Sequence, residues 1–220
     1  RDDDMAKVYF QFDNRFEKPK AYIKMLIETP HVYDDPGNLA RSKLYEASIM
    51  EGLNELTYPI SQAGLSYAMS LEKRGVVLTV GGYSERLHDL LKLVAQNLLT
   101  LKIDEQKFTD IKDEFVRSVQ NGKLGAGYRR ASYFNQQIWL PKQYTEEQLL
   151  QGLTSVSFDE VKRYAGTLFK RVYITAVING NWTEDKARES IDLVVRELKS
   201  APLPETERFE NEVTVLGEAE

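Results

Sequence analysis

Apolar and polar residues alternate in two short segments near the start of the chain. They are "KVYFQF" (Lys7 to Phe12) and "KAYIKMLIE" (Lys20 to Glu28). A period of two with β-branched and aromatic residues predicts β-strands. "VYITAVING" (Val172 to Gly180) alternates in the same way and predicts a late strand. In the second strand we expect one face to be formed by Ala21, Ile23, Met25 and Ile27.

Apolar residues at spacings of three and four predict helices over much of the remaining chain. The segment "LARSKLYEASIMEGLNELTY" predicts a long amphipathic helix from about Pro36 to Tyr58. Two further helices are expected to pack inward, the second of them beginning after the N-cap residue Asp104. Their apolar positions are Leu87, Leu90, Leu91, Val94, Leu98 and Leu101, and then Phe108, Ile111, Phe115 and Val119.

Capping signals place the remaining helix starts. Thr145 with Gln148 and Ser157 with Glu160 both fit the capping box, so two helices are predicted to begin there. After the late strand, Asn181 or Thr183 is expected to cap a final helix. The apolar face of that helix is Ala187, Ile191, Val194 and Leu198.

A hairpin is predicted between the long helix and the helices that follow. "LSYAMSLE" and "VVLTVGGY" flank Lys73-Arg74-Gly75, and Gly75 can adopt the positive φ that such a turn requires. The order of elements suits an α+β fold, a two-layer sandwich with a mainly antiparallel sheet and helices on one face. We predict one domain over residues 1–204 and a Pro- and Glu-rich linker, or the start of another domain, over residues 205–220.

Composition narrows the classes of protein and partner. Of the 220 residues, 42% are hydrophobic and 29% are charged, which is typical of a soluble globular domain. The net charge of -5 and the scattered Lys and Arg residues argue against a nucleic-acid partner. No apolar run reaches the roughly 18 residues of a membrane helix. Cysteine is absent, which excludes disulfides, a thiol nucleophile and Cys-liganded zinc in this segment.

The chain has two histidines, His31 and His88, which are far apart in the sequence. A zinc site of the two-His-plus-Glu kind needs both imidazoles on one helix face, so this chain cannot build one alone. His31 adjoins Asp34 and Asp35, and a weak metal site there is an alternative to the favoured interpretation as a solvated loop histidine. His88 is interpreted as a structural residue on its helix.

The other candidate motifs favour structural roles. The carboxylate pairs occupy loops or first helical turns, where acids complement the helix dipole, so we interpret them as caps before acid/base pairs. They are Asp34 with Asp35, Glu146 with Glu147, and Asp159 with Glu160. Gly122-Lys123 is followed by Leu124 where a phosphate loop needs Ser or Thr, so "NGKLGAGYRR" is interpreted as a helix-to-helix connection.

Two further motifs lack the context that their chemistry needs. "NWT" (Asn181 to Thr183) matches a glycosylation acceptor, but it lies between a strand and a helix, which favours a cap. No serine has a histidine and an acid at a spacing that identifies a hydrolase triad.

Four phrases in order resemble the inverzincin metallopeptidases of the pitrilysin and insulysin type. They are "FDNRFEKPKAYIKMLIETPHVYDDPGN", "LNELTYPISQAGLSYAMSLEKRGVVLTVGGYSERLHDLL", "IDEQKFTDIKDEFVRSVQN" and "VINGNWTEDKA". The resemblance covers nearly the whole chain. It implies an enzyme of four similarly folded domains in two halves around a chamber, with zinc bound by the H-x-x-E-H motif of the first domain.

This chain is similar to the third, non-catalytic domain of that family. The helix from about Pro36 to Tyr58 then corresponds to the zinc-bearing helix, yet it contains no histidine. Its Glu46, Glu51 and Glu55 are interpreted as solvent-facing residues. We therefore expect no catalytic residue and no metal ligand in this segment, and the substrate-positioning Arg and Tyr of the family are expected in the fourth domain.

The resemblance implies that the full-length parent is a zinc metalloendopeptidase that degrades peptides in an enclosed chamber. This segment would form chamber wall and interdomain scaffold, with the other domains and peptide substrates as its partners and without nucleic acid or membrane. The alternative is a stand-alone inactive subunit or peptide-binding module that supports an active zinc peptidase. The linker-like tail favours excision from a longer chain. A periplasmic location is expected by resemblance, with the cytoplasm as the alternative.

Overall fold

The computed structural model describes residues 1–15, 18–30, 32–122, 126–140 and 143–210, apart from the side chains of Glu55 and Arg129. The strands within these residues are β1 (Ala6–Phe12), β2 (Lys20–Glu28), β3 (Leu65–Glu72), β4 (Gly75–Tyr83), β5 (Arg171–Gly180) and β6 (Ala201–Pro202). The helices are α1 (Pro36–Gln62), α2 (Ser84–Asn97), α3 (Glu105–Gly122), α4 (Gly127–Trp139), α5 (Glu146–Ser155), α6 (Phe158–Leu168) and α7 (Glu184–Leu198), followed by a short 3-10 helix at Glu205–Glu207.

The strands form one mixed sheet in the order β1-β5-β2-β4-β3, with β6 paired to one end of β5. The pairs β5/β2, β2/β4 and β4/β3 are antiparallel, whereas β1/β5 and β5/β6 are parallel. The late strand β5 therefore lies between the two strands that begin the chain. This arrangement confirms the predicted α+β class.

The helices cover one face of the sheet. Because side chains alternate across a strand, the odd-numbered residues of β2 and the even-numbered residues of β5 point to the same side. On that side the expected β2 positions are all fully buried, and so are Val172, Ile174, Ala176 and Ile178. The apolar faces of α1, α2, α6 and α7 join them in one core, and no helix of the described ranges forms a layer on the opposite face of the sheet.

The β3–β4 hairpin forms with the turn geometry that the sequence predicts. Gly75 has φ +149, a value that L side chains rarely adopt. A Cβ atom at this position would lie 2.1 Å from the Ile27 carbonyl oxygen of β2. Glycine is therefore required both by the backbone angle and by the close approach of the neighbouring strand.

Some predicted element boundaries were wrong, and the burial of α3 is shallower than that of α2, α6 and α7. α1 continues through Pro59 to Gln62, four residues beyond Tyr58, and β1 and β5 each begin one residue earlier than predicted. In α3 only Phe108 is fully buried, while Ile111, Phe115 and Val119 are half-buried. These half-buried residues still pack against the buried core, so the apolar stripe of α3 faces inward as predicted.

The ends of the chain give two further observations. Residues 205–210 contain the short 3-10 helix, and residues 211–220, which include most of the predicted linker, lie outside the described residues. The helices that the structure describes include none that is long and apolar enough to cross a membrane.

Candidate functional site

The helix α1 is the element on which the resemblance would put metal ligands. Glu46 is only partly exposed, and its carboxylate accepts a hydrogen bond from the Leu71 backbone N–H of β3 at 3.3 Å. Its other oxygen lies 3.4 Å from the Lys43 ammonium. Glu51 pairs with Lys107 of α3 at 2.7 Å. Both carboxylates therefore bind neighbouring parts of the fold, and the side chain of Glu55 is outside the described part of the structure.

These residues do not fit a zinc site. Zinc in proteins is held by His, Cys and carboxylate groups that converge on one point. α1 contains no histidine or cysteine. Across the described ranges, no group of three or more His, Cys, Asp or Glu side chains is placed to hold a metal ion.

The inner side of α1 carries buried polar groups that connect the helical layer. The Ser42 hydroxyl donates to the Val32 carbonyl oxygen at 3.0 Å, so the hydrogen bond between Ser42 and Tyr164 of α6 has the tyrosine as donor. The Tyr45 hydroxyl donates to the Leu98 carbonyl oxygen at 2.7 Å. These contacts hold α1 against α6 and against the end of α2, which is a structural role.

The acidic pairs act at helix starts, as predicted. Asp35 caps α1 by accepting from the Asn38 backbone N–H at 2.8 Å. Glu146 and Glu147 lie in the first turn of α5, and Asp159 and Glu160 lie in the first turn of α6. The pKa of Glu160 is below its ordinary value because the backbone N–H and the hydroxyl of Ser157 donate to its carboxylate.

The predicted capping boxes are confirmed at both sites. Thr145 with Gln148, and Ser157 with Glu160, each make the reciprocal side-chain to backbone hydrogen bonds. Of the two candidates for the cap of α7, Thr183 is the N-cap residue, and its hydroxyl accepts from the Lys186 backbone N–H at 3.2 Å. Asn181 instead uses its backbone N–H to bond the Lys20 carbonyl oxygen.

The remaining sequence candidates do not converge on one point in the described structure. His88 is half-buried on α2, and His31 is outside the described residues. The phosphate-loop candidate begins at Gly122, where α3 ends, and its Lys123 and Leu124 are also outside them. A reacting group would need a nucleophile and a base within hydrogen-bond reach, and these positions supply no such pair.

The face of the sheet opposite the helical layer carries several half-exposed side chains, and we call it the open sheet face. One row across it follows the strand register from Tyr9 through Val177, Lys24 and Thr79 to Ala68. Tyr9 and Val177 are half exposed, and so is Tyr22, which lies one row away. The surface thus combines aromatic and aliphatic side chains with polar ones such as Thr79 and Asn179, and Lys24 is the charged residue of this row.

Tyr22 is held flat on the open sheet face by the residue opposite. Its cross-strand partner on β4 is Gly81, and a Cβ atom there would come within 2.4 Å of the Tyr22 ring. The glycine therefore leaves the space that the ring occupies. An aromatic ring over a glycine shields the exposed strand backbone and fixes the ring position.

A groove of ≈ 350 Å³ lies at the outer edge of the sheet, between the second half of α1 and the start of β3. Its walls are mostly apolar and include Met50, Ile60, Leu65, Tyr67 and Leu90. The ten lining residues contain no Asp, Glu, His, Lys or Arg. Such a groove can contact an apolar group, but it offers no acid and base for catalysis.

The helix α4 (Gly127–Trp139) was missed by the sequence interpretation, which treated the start of this segment as a connection. The spacing of Tyr128, Phe134 and Ile138 was a signal for it. Flanking glycines and the two adjacent arginines hid that signal. The structure leaves these apolar residues on the surface.

These observations define the fold class. It is an α/β domain with a mixed sheet, a helical layer on one face and a long first helix. The crystal structure of pitrilysin shares this fold, with a TM-score of 0.83 and 20% sequence identity over 91% of this chain and 21% of that chain. A peptidase M16 inactive domain from Pseudomonas fluorescens shares it as well, with a TM-score of 0.71 and 16% identity over 95% of this chain and 51% of that chain.

The sequence comparisons identify the family. Residues 1–152 match the family described as "Middle or third domain of peptidase_M16". The human insulin-degrading enzyme is 30% identical over 194 residues, which is 88% of this chain and 19% of that protein. The chain therefore belongs to the M16 peptidase family as its middle or third domain, and it spans about a fifth of the length of this relative.

Proposed function

We propose that this chain is a non-catalytic domain of a longer zinc metalloendopeptidase, and that it forms chamber wall and interdomain scaffold. Its place as an M16 middle domain supports a polypeptide with further domains. The observation that carries the proposal is the open sheet face, a broad extended surface with half-exposed Tyr9, Tyr22 and Val177. In this proposal that face lines the chamber in which peptides are degraded.

The chemistry of the open sheet face suits contact with unfolded peptides of varied sequence. Neighbouring exposed apolar side chains such as these mark sites of interaction in soluble proteins. Tyrosine supplies a large contact area with few rotatable bonds and a hydroxyl that can bond peptide groups. Lys24 at the centre of the row favours acidic segments, while the aliphatic neighbours accept apolar side chains.

The zinc of the parent enzyme is proposed to lie in another domain. The resemblance places the metal motif on the counterpart of α1, and the residues that α1 carries here do not fit the metal. Glu46 and Glu51 instead anchor β3 and α3. Zinc would polarise the scissile carbonyl and activate a water molecule in the first domain, and this chain's own residues would contribute surface and position.

Cysteine labelling of the full-length parent tests the chamber assignment, because this segment has no native cysteine. In a parent whose other reactive cysteines have been replaced, Val177→Cys places a thiol on the open sheet face. We expect a small maleimide to react with it quickly, and a maleimide carried on a folded protein to react slower by an order of magnitude. The matched control is Glu189→Cys on the exposed side of α7, which should react with both reagents.

Equal rates for both reagents at Val177→Cys would place the open sheet face on the outside of the enzyme and contradict the chamber proposal. Failure of even the small maleimide to react would show that the face is buried against another domain. Either result would leave the domain its scaffold role alone.

The second candidate function is that of a stand-alone inactive subunit. The structural similarity to the peptidase M16 inactive domain from Pseudomonas fluorescens is the reason for considering it. An immunoblot of the source organism separates the two. We expect a band about four times the 25.3 kDa of this chain, as for four domains of typical size. A band at 25.3 kDa would support the separate subunit. Cell fractionation of the same samples tests the proposed periplasmic location.

A further inference from the structure

The helix α4 presents its apolar side away from the domain. At 100° per residue, Phe134, Ile138, Tyr128 and Trp139 fall within one arc of about 140°. The opposite arc faces the body through polar contacts. There the Tyr133 hydroxyl accepts from the Glu146 backbone N–H at 2.9 Å, and the Gln137 side chain donates to the Tyr144 carbonyl oxygen at 3.3 Å.

The exposure of this arc is large for a helix of a folded domain. The exposed fractions are 71% for Tyr128, 53% for Phe134, 50% for Ile138 and 45% for Trp139. A surface helix ordinarily turns its apolar stripe to the core and its polar side to water. A helix of this length is marginal in isolation, so its stability comes from packing. The orientation of α4 therefore calls for an apolar partner on its outer side.

The charge of α4 favours a different domain over a second copy of this chain as the partner. α4 contains Arg129 and Arg130 and no acidic residue, in a chain whose net charge is -5. A two-fold interface between copies brings the same patch together from both sides. It would bring Arg130, whose guanidinium lies 5.6 Å from the Phe134 ring centroid, against its own copy, whereas a surface with acidic groups around an apolar centre would complement it.

The greater length of the relatives indicates where such a partner domain would come from. The chain corresponds to 19% of the human insulin-degrading enzyme and 21% of the pitrilysin chain, so most of such a polypeptide lies outside this domain. We propose that another domain of the same polypeptide docks on the outer face of α4, defined by Tyr128, Phe134, Ile138 and Trp139, and offers acidic groups to Arg130. This inference rests on the proposed function, in which the chain is one domain of a longer peptidase.

Single cysteines in the full-length parent test the docking. Phe134→Cys and Ile138→Cys lie within the arc, and Gln136→Cys lies on the exposed flank of the same helix. We expect a small maleimide to react with the first two at least an order of magnitude more slowly than with Gln136→Cys. Amide hydrogen exchange of residues 127–139 in the unmodified parent gives a second measurement, and slow exchange is expected there.

Equal reaction rates at all three cysteines, or exchange of residues 127–139 as fast as in an unprotected peptide, would overturn the docking proposal. Slow reaction that is lost when the parent is diluted from dimer to monomer would overturn it too, because a second copy would then cover α4. Slow reaction that persists in the monomer supports it.

The measurements distinguish a failure of this inference from a failure of the proposed function. If Phe134→Cys reacts quickly while Val177→Cys still distinguishes small from large reagents, only the docking on α4 is wrong. If the immunoblot shows a natural protein of 25.3 kDa, the multidomain function itself is wrong.

Discussion

Two glycines of this domain differ in whether the structure would accept a side chain at their position. Gly75 has a positive φ and almost touches the backbone of β2, so any side chain would both strain its own backbone and push the neighbouring strand away. Gly166 lies within α6, and a Cβ atom there would meet no other atom within 4 Å. The first glycine is therefore required by the fold, while the second weakens the helix that contains it.

Alanine substitutions at these two glycines are expected to change stability in opposite directions. Gly75→Ala should lower the free energy of unfolding by about 3 kcal/mol, because strain and a steric clash act together. Gly166→Ala should raise it by about 0.5–1 kcal/mol through helix propensity. Denaturant titration of both variants measures this, and a neutral Gly75→Ala would contradict the turn geometry described above.

At the scale of elements, α1 takes part in the core through its inner side. Tyr45 is fully buried on its inner side, and its hydroxyl bonds the carbonyl oxygen of Leu98. Burial away from water, and secondly the nearby Tyr164, raise the pKa of Tyr45 well above its ordinary value of 10.0. The folded state thus requires the neutral tyrosine.

Tyr45→Phe is expected to cost about 1–2 kcal/mol at neutral pH, because the Leu98 carbonyl oxygen loses its partner. A raised pKa in the folded state gives stability that is complete below the unfolded pKa of about 10 and is lost as pH rises further. The wild type should therefore lose more stability than the variant above that pH, and the gap between them should narrow. Denaturant titrations at neutral and alkaline pH measure the gap, with exposed Tyr58→Phe as the control.

The sequence predicted correctly those elements whose local residue pattern agrees with their packing in the folded domain. The alternation in β2 and the capping boxes of α5 and α6 are local signals, and the structure shows the buried strand face and both capping boxes. The orientation of α4 was not predictable, because an apolar stripe indicates a core-facing helix unless the partner is known. The role of Glu46 was missed for a related reason, since the edge of β3 that it bonds is far away in the sequence.

At the scale of the whole molecule, the domain offers two different surfaces. The helical layer buries the core and carries α4 at its rim, while no helical layer among the described residues covers the open sheet face, on which Arg208 packs over Tyr173 at one end. A domain with both surfaces can face a cavity on one side and a neighbouring domain on the other. The separation explains how one fold can be both wall and scaffold in the proposed enzyme.

Removal of zinc from the parent should separate activity from the stability of this domain. We expect a chelator to abolish peptide cleavage and to leave amide protection of β2 and β5 unchanged, because the described residues of this chain hold no metal-binding group. Hydrogen exchange with and without chelator measures this. Loss of protection in these two strands would show that the metal stabilises this domain.

The bond between Glu46 and the Leu71 backbone N–H has a consequence beyond α1. β3 is an outermost strand of the sheet, and the main-chain groups along such a strand can recruit a strand from another molecule. A carboxylate bound to one of these N–H groups, with a negative charge at the rim, discourages that addition. The Glu46 contact therefore removes one N–H group of β3 from those available for pairing with a strand of another molecule.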